Sequence, residues 1–578
     1  MGESSWRNNF CWWQRGIIYQ VYPRSFMDSN GDGIGDLGGI RQKLDYLQWL
    51  GVDAIWISPI YPSPMADFGY DISNYTDIDP IFGTLAEFDA LLDDVHGRGM
   101  KLLLDYVPNH TSDRHPWFID ARASRSSQRR DWYIWRDPDP GGGPPNNWRA
   151  NFGGSAWAWD KKTGQYYYHA FLREQPDLNW RNPQVQRAML EVLRFWLDRG
   201  VDGFRVDVMH HLVKDTEFRD NPPNPDFRSG MSPYRELLTT YTVDLPEVQE
   251  IVAMMRAVIE EYDDRMLVGE IYLPVERLMA YYGASGRGAH LPFNFQLIRL
   301  PWKAKEIAAA VGRYEALLPS YAWPNWVLGN HDKPRIVSRA GAAQARIAAM
   351  LLLTLRGTPT MYYGDEIGMR DVPIAPDQVQ DPFETNVPGL GLGRDPVRTP
   401  MQWSDVESAG FTSGTSWLPL ADDFKTINVA NLMQERSSIL NLYHRLIQLR
   451  RKEPALSVGD YAAVPVGNDL IVYMRKSEER RFLVALNFAG QSRSFNLCEL
   501  QAQSAFLRIS TYLDREHERV ENELFLRADE GVIVELIRTD LRTMPGLPSC
   551  LAVSGAGCHS DLPESPSKKL SRTVTLPL

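Results

Sequence analysis

Cysteine is scarce: four residues in a chain of 578, Cys11, Cys498, Cys550 and Cys558, stand far apart and without metal-type spacing. They offer neither a disulfide framework nor a zinc cluster, and a reducing, cytoplasmic setting is expected. Long apolar runs are missing as well. No stretch is long enough to cross a bilayer, and the first residues, Met-Gly-Glu-Ser-Ser-Trp-Arg, lack the apolar core of a secretion signal, so no membrane association is expected. Positive charge is outnumbered, 62 Lys and Arg against 73 Asp and Glu, for a net charge of -11. That balance argues against a nucleic-acid partner, which needs a cationic face, and against polyanionic substrates. No Lys-Ser/Thr follows the glycines of Gly31-Asp-Gly-Ile-Gly35, which removes a phosphate loop. No organic cofactor is expected, and no Ser or Cys nucleophile motif stands out.

What is present is a globular composition, 43% hydrophobic and 23% charged, with 18 Trp and 25 Tyr. Most of these aromatics belong to core packing, but flat rings are also what holds the apolar faces of sugars. Apolar strand-like runs alternate with amphipathic helical stretches as far as about residue 365, the pattern of a parallel α/β fold. The runs are Gly16–Tyr22, Ala54–Ser58, Lys101–Val107, Gly203–Val208, Met266–Ile271, Leu291–Phe295, Trp326–Asn330 and Thr358–Met361. Eight of them predict a (β/α)8 TIM barrel. Among the helices, Asn182–Asp198 carries Val185, Met189, Val192, Leu193 and Trp196 at helical spacing.

The alternation fails between Asn109 and Asp177, where Trp, Tyr, Gly, Pro and Asn dominate; a small domain inserted after the third strand is expected there. A second irregular stretch, Arg370–Trp403, suits a loop over the barrel mouth. From about Gly459 short alternating strands return, Asp469–Met474, Arg481–Asn487 and Gly531–Leu536, and predict a C-terminal antiparallel β-sandwich. The expected division is therefore barrel 1–109, insert 110–178, barrel 179–458, β domain 459–540 and a disordered, Ser- and Pro-rich tail 541–578.

Chemistry-bearing residues gather at the C-terminal ends of the predicted strands: Asp105 and His110 on the third, Arg205 and Asp207 on the fourth, Glu270 on the fifth, His331 and Asp332 on the seventh. In a TIM barrel those ends build the active site. Helix capping would explain one such Asp, but not seven such residues on four strands. Paired carboxylates without a Ser or Cys nucleophile point to glycoside cleavage, in which one carboxylate stabilises an oxocarbenium-like transition state and an acid protonates the leaving oxygen. Asp207 lies two residues after Arg205, on the same side of the strand, and the cation is expected to keep it ionised. Glu270 must instead carry a proton to act as an acid.

Four stretches, Asp105-Tyr-Val-Pro-Asn-His110, Gly203-Phe-Arg-Val-Asp-Val208, Gly269-Glu-Ile-Tyr272 and Gly329-Asn-His-Asp332, resemble in order the signature regions of the α-amylase superfamily, glycoside hydrolase family 13. The resemblance implies Asp207 as nucleophile, Glu270 as acid and base, and Asp332 as the third carboxylate, with His110, Arg205 and His331 holding the same sugar. Gln175-Pro-Asp-Leu-Asn179 is similar to the marker of the oligo-1,6-glucosidase and α-glucosidase branch. In that branch Asp67 and Tyr70 resemble residues that hold the terminal non-reducing glucose, by hydroxyl contacts and ring stacking, and Arg398 resembles the arginine completing the pocket. Val208 after the nucleophile resembles the α-1,6-preferring members. The implied function is a retaining, exo-acting α-glucosidase on a short oligosaccharide; a transglucosylase or sugar isomerase uses the same covalent intermediate. A non-catalytic partner of the kind related to transporter heavy chains is opposed by the intact Asp207, Glu270 and Asp332.

Asp28-Ser-Asn-Gly-Asp-Gly-Ile-Gly-Asp36 supplies oxygen ligands at loop positions 1, 3, 5 and 9 but has Gly39 where an EF-hand places its Glu. The branch resemblance implies a structural Ca²⁺ or Mg²⁺ on Asp28, Asn30, Asp32, the Ile34 carbonyl and Asp36. His210 and His211, as neighbours in sequence, face different ways and are not expected to bind metal. Trp12 and Trp13 are expected to pack.

Overall fold

A computed structural model describes residues 10–497 and 504–537. The predicted tail, Cys498, Cys550 and Cys558 lie outside these residues; Cys11 is exposed and unpaired.

Each of the eight expected runs overlaps a barrel strand: Ile18–Val21, Ala54–Ile57, Lys101–Tyr106, Gly203–Val206, Met266–Gly269, Leu291–Pro292, Asn325–Val327 and Thr358–Tyr362. They form one parallel sheet in which the first strand pairs with both the second and the eighth. The one seam without a backbone ladder lies between the sixth and seventh strands, and a side chain closes it. Asn325 accepts the Asn294 N–H at 2.9 Å and donates to the Pro292 carbonyl at 2.6 Å.

Alternation along each strand sorts side chains into two cores. Ile18, Trp56, Leu103, Met266, Val268, Leu291 and Val327 share an interior cluster, with Trp12 packed into it, while Ile55, Leu102, Leu104, Phe204 and Leu267 face the surrounding helices. Helix Pro183–Asp198 shows why those helices form where they do. Asn182 caps Gln184 N–H, proline occupies the first turn, and Val185, Met189, Val192, Leu193 and Trp196 are buried on one face. Thr84 and Glu87 make a reciprocal capping box at the start of Leu85–Gly97.

Between the third and fourth barrel strands the chain builds helix Pro116–Ala121 and a three-stranded antiparallel sheet, Trp135–Arg136, Gln165–Tyr168 and Trp157–Asp160. Beyond the barrel, a six-stranded antiparallel sheet buries Val472, Leu483, Leu507 and Val534 against Leu524 and Leu526 of a two-stranded sheet, which makes the expected sandwich. Its opposite face, with Tyr473, Val484 and Ile533, joins the main core. Among the described residues no helix is long and apolar enough to cross a membrane.

Candidate active site

The same alternation that fills the barrel interior sets the polar residues at its C-terminal mouth. Two residues beyond Leu103 comes Asp105; two beyond Gly203 comes Arg205; two beyond Val268 comes Glu270. All three are buried. Arg205 is the hub. One guanidinium nitrogen donates to Asp105 at 2.8 Å and to Asp207 at 2.7 Å, and the other meets Glu270 at 2.8 Å. Asp207 and Glu270 are 6% and 3% exposed. Glu270 also accepts the backbone N–H of Val208 at 2.9 Å. Val208 adopts left-handed backbone angles, φ 35° and ψ 46°, costly for a β-branched residue. That strained turn aims its amide at one carboxylate while Asp207 keeps its place beside the other.

Arg205, expected to keep Asp207 ionised, is opposed here by burial and by two further acids. Burial pushes Asp207 well above the usual carboxylate range, Arg205 pulls it down, and Glu270 and Asp105 push it up again. One cation is shared among three buried acids. Burial raises Asp105 to about 6.

Asp332 behaves differently. Its side chain is 20% exposed and meets Arg398 at 2.9 Å, Arg394 at 3.5 Å and His331 at 3.5 Å. Burial acts to raise it, but His331, Arg394 and Arg398 outweigh burial and hold it well below the ordinary range. Burial depresses His331 far below its usual value. His110 is likewise lowered by burial, to about 4.

The structure brings Asp67, Tyr70, His110, Arg205, His331 and Arg398 to this mouth. The Tyr70 hydroxyl reaches Asp105 at 3.1 Å and His331 at 2.8 Å, and its ring stacks on His331 with centroids 5.5 Å apart. One face of Tyr70 is thus already covered by a neighbour. Gln175 donates to Asp67 at 3.2 Å and lies 3.1 Å from His110 Nε2, which places the Gln175–Asn179 stretch in the wall. Arg398 Nη1 and the Tyr22 hydroxyl are buried without a hydrogen-bond partner.

Sequence reasoning missed Arg394. Its guanidinium bonds Asp67 at 2.6 Å and Asp381 at 2.7 Å and lies over Phe152 of the insert at 5.0 Å. It ties the loop after the eighth strand to the loop after the second.

The Asp28–Asp36 loop is folded around its own amides. Asp28 accepts N–H groups of Asn30, Gly31 and Gly33, Asn30 that of Asp32, and Asp32 that of Ile34. Asp36 caps the helix Leu37–Gln42 through Gly39 N–H and holds Ser29. Among the described residues no three His, Cys, Asp or Glu side chains converge as metal ligands.

The family model "Alpha amylase, catalytic domain" matches residues 20–459. The chain belongs to the α-amylase family. It is 41% identical over 500 residues to a probable α-glucosidase of Rhizobium meliloti, covering 84% of this chain and 91% of that one. To the oligo-1,6-glucosidase of Parageobacillus thermoglucosidasius it is 39% identical over 567 residues, 91% of this chain and 99% of the other. Among solved structures, the α-glucosyl transfer enzyme XgtA superposes with a TM-score of 0.86 at 39% identity, covering 91% of this chain and all of that one. The trehalulose synthase MutB from Pseudomonas mesoacidophila MX-45 gives 0.83 at 35%, covering 91% and 99%. Hydrolysing and glucosyl-transferring relatives thus share this α-amylase-family fold.

Proposed function

We propose that this chain is a retaining, exo-acting α-glucosidase that releases terminal glucose from short maltose- or isomaltose-type oligosaccharides. The observation that carries the reading is the Arg205 guanidinium held between Asp207 and Glu270. Two carboxylates on one guanidinium suit the ~5–5.5 Å separation of a double displacement better than the wider gap that admits an inverting water. Asp207 attacks the anomeric carbon while Glu270 gives its proton to the leaving oxygen. Glu270 then takes a proton from the water that releases glucose. Asp332, kept ionised, accepts sugar hydroxyls in the distorted ring, where those bonds are strongest. The ties of Arg394 to Asp67 and of Arg398 to Asp332 beside the carboxylates favour exo action.

Products formed from maltose, isomaltose, sucrose and maltotriose decide the matter. Glucose should appear from at least one, and Asp207→Asn should lower turnover by at least about 10⁴-fold while sugar still binds. Disaccharide isomers without free glucose would assign the enzyme instead to glucosyl transfer or isomerisation, the reading favoured by the likeness to XgtA and MutB. Val208 points to α-1,6 linkages; Val208→Thr should shift the isomaltose-to-maltose ratio within the about 1–3 kcal/mol that a methyl-sized change supplies.

The Asp28–Asp36 loop would hold a structural Ca²⁺ or Mg²⁺ through Asp28, Asn30, Asp32 and the Ile34 carbonyl, with Asp36 joining only by giving up its helix cap. A thermal midpoint that falls on chelation and returns with Ca²⁺ supports this; an unchanged midpoint opposes it.

A further inference from the structure

Away from the catalytic mouth, a cavity of about 530 Å³ lies between the insert and the stretch 212–218 after the fourth barrel strand, a volume ordinary for a small-molecule site. Asp207, Glu270 and Asp332 do not line it. Its walls carry Arg130, Arg136, Lys214 and Asp131, with Trp135 and Phe218 as aromatic surface.

Lys214 is committed, its ammonium bonded to Asp177 and to Asn109 at 2.8 Å. The two arginines are bonded to neutral acceptors instead. Arg130 donates to the Ala121 carbonyl, Thr163 and Gln165, and Arg136 to the Trp135 carbonyl. Among the described residues neither guanidinium has a carboxylate within ion-pair distance. Each is held flat on a ring, Arg130 over Trp135 at 3.4 Å and Arg136 over Phe218 at 3.6 Å. Stacking fixes the plane of a guanidinium, and Arg136, with a single bond to a carbonyl, keeps most of its edge for a bidentate anion.

A second observation points to a ligand. Trp135 is only 7% exposed, yet its indole N–H has no acceptor, and neither has the Nε–H of Arg130. Buried indole donors are normally paired. Asp131, on the same wall, accepts only side-chain amides of Asn179 and Asn182, at 3.3 and 3.4 Å, and remains open to hydroxyl donors.

We propose that this cavity is a second ligand site that takes a small phosphorylated sugar, with the phosphate on Arg130 and Arg136 and the sugar hydroxyls on Asp131 and Asn179. Lys214 connects it to the catalytic pocket, because the Asn109 side chain it holds also lies 3.2 Å from His110 Nδ1. An occupant can therefore change KM without touching the carboxylates.

Calorimetric titration of the full chain with glucose 6-phosphate, inorganic phosphate and glucose tests the site, and needs no turnover, so its result is separable from the hydrolytic reading. Glucose 6-phosphate should bind one to one, and at least about tenfold more weakly in Arg130→Gln and in Arg136→Gln. Both variants should keep ligand-free turnover. If Arg130→Gln fails to fold, Arg136→Gln, which gives up one bond to the Trp135 carbonyl and the stacking on Phe218, carries the test. Absence of binding at millimolar glucose 6-phosphate, or unchanged affinity in Arg136→Gln, would overturn the proposal. Inorganic phosphate binding as tightly would overturn the sugar assignment.

Discussion

At the scale of single residues, charge is rationed. Asp105, Asp207 and Glu270 draw on one guanidinium, and Asp105 is the member that the proposed chemistry does not consume. Replacing it with Asn removes a negative charge beside Asp207, so the ionised nucleophile becomes easier to form. In Asp105→Asn the acid limb of kcat/KM should therefore move to lower pH, by about one unit, as measured with an aryl glucoside. A limb that stays in place or moves to higher pH would show that Asp105 does not set the ionisation of Asp207. Arg394 poses the converse case. Arg394→Ala leaves Asp381 buried without its cation and frees Asp67 from the pocket wall, so the loop after the eighth strand loses its tie. KM for the disaccharide should rise at least about tenfold with a smaller change in kcat. An equal fall in kcat at unchanged KM would place Arg394 in the chemical step instead.

At the scale of elements, the barrel strands were legible because parallel strands buried on both faces read as short apolar runs between helical stretches. Their ends were less so. Leu291–Phe295 was expected as a full strand, yet only Leu291–Pro292 pairs, with Val268 and Gly269, and the sixth-to-seventh seam relies on Asn325. No local pattern marks a side chain standing in for a ladder. Asn325→Leu should leave the Asn294 N–H and the Pro292 carbonyl unpaired and cost about 2–4 kcal/mol, seen as a lower thermal midpoint; an unchanged midpoint would mean that the seam needs no side-chain closure. The site follows the same rule. Asp207, Arg205 and Glu270 were legible because strand alternation and short motifs fix them. Arg394 was not, because its partner Asp67 is 327 residues away and the loop that carries it has no period to read.

At the scale of the whole molecule, burial of titratable groups ties stability to pH, and His115 offers a place to isolate one such link. It caps helix Pro116–Ala121 by accepting the Trp117 N–H on Nδ1 at 3.1 Å, and it packs against Trp117. Burial, with help from Arg129, lowers its pKa to about 3. The unfolded chain takes up this proton near pH 6.5, whereas the folded chain cannot until near 3. Between those values the unfolded state binds more protons, so the contribution of neutral His115 is complete above 6.5 and is lost as pH falls through the window. Many other buried groups titrate in the same range with both signs, so the total curve does not report on His115. A difference does. His115→Asn keeps a capping acceptor and removes the titration, so its offset from the parent should be constant above pH 7. Below 6.5 the variant should gain on the parent by up to about 1.4 kcal/mol per pH unit. Calorimetric midpoints of the two proteins from pH 7.5 to about 4.5 give this comparison. Parallel curves would mean that the helix yields and lets His115 protonate in the folded state.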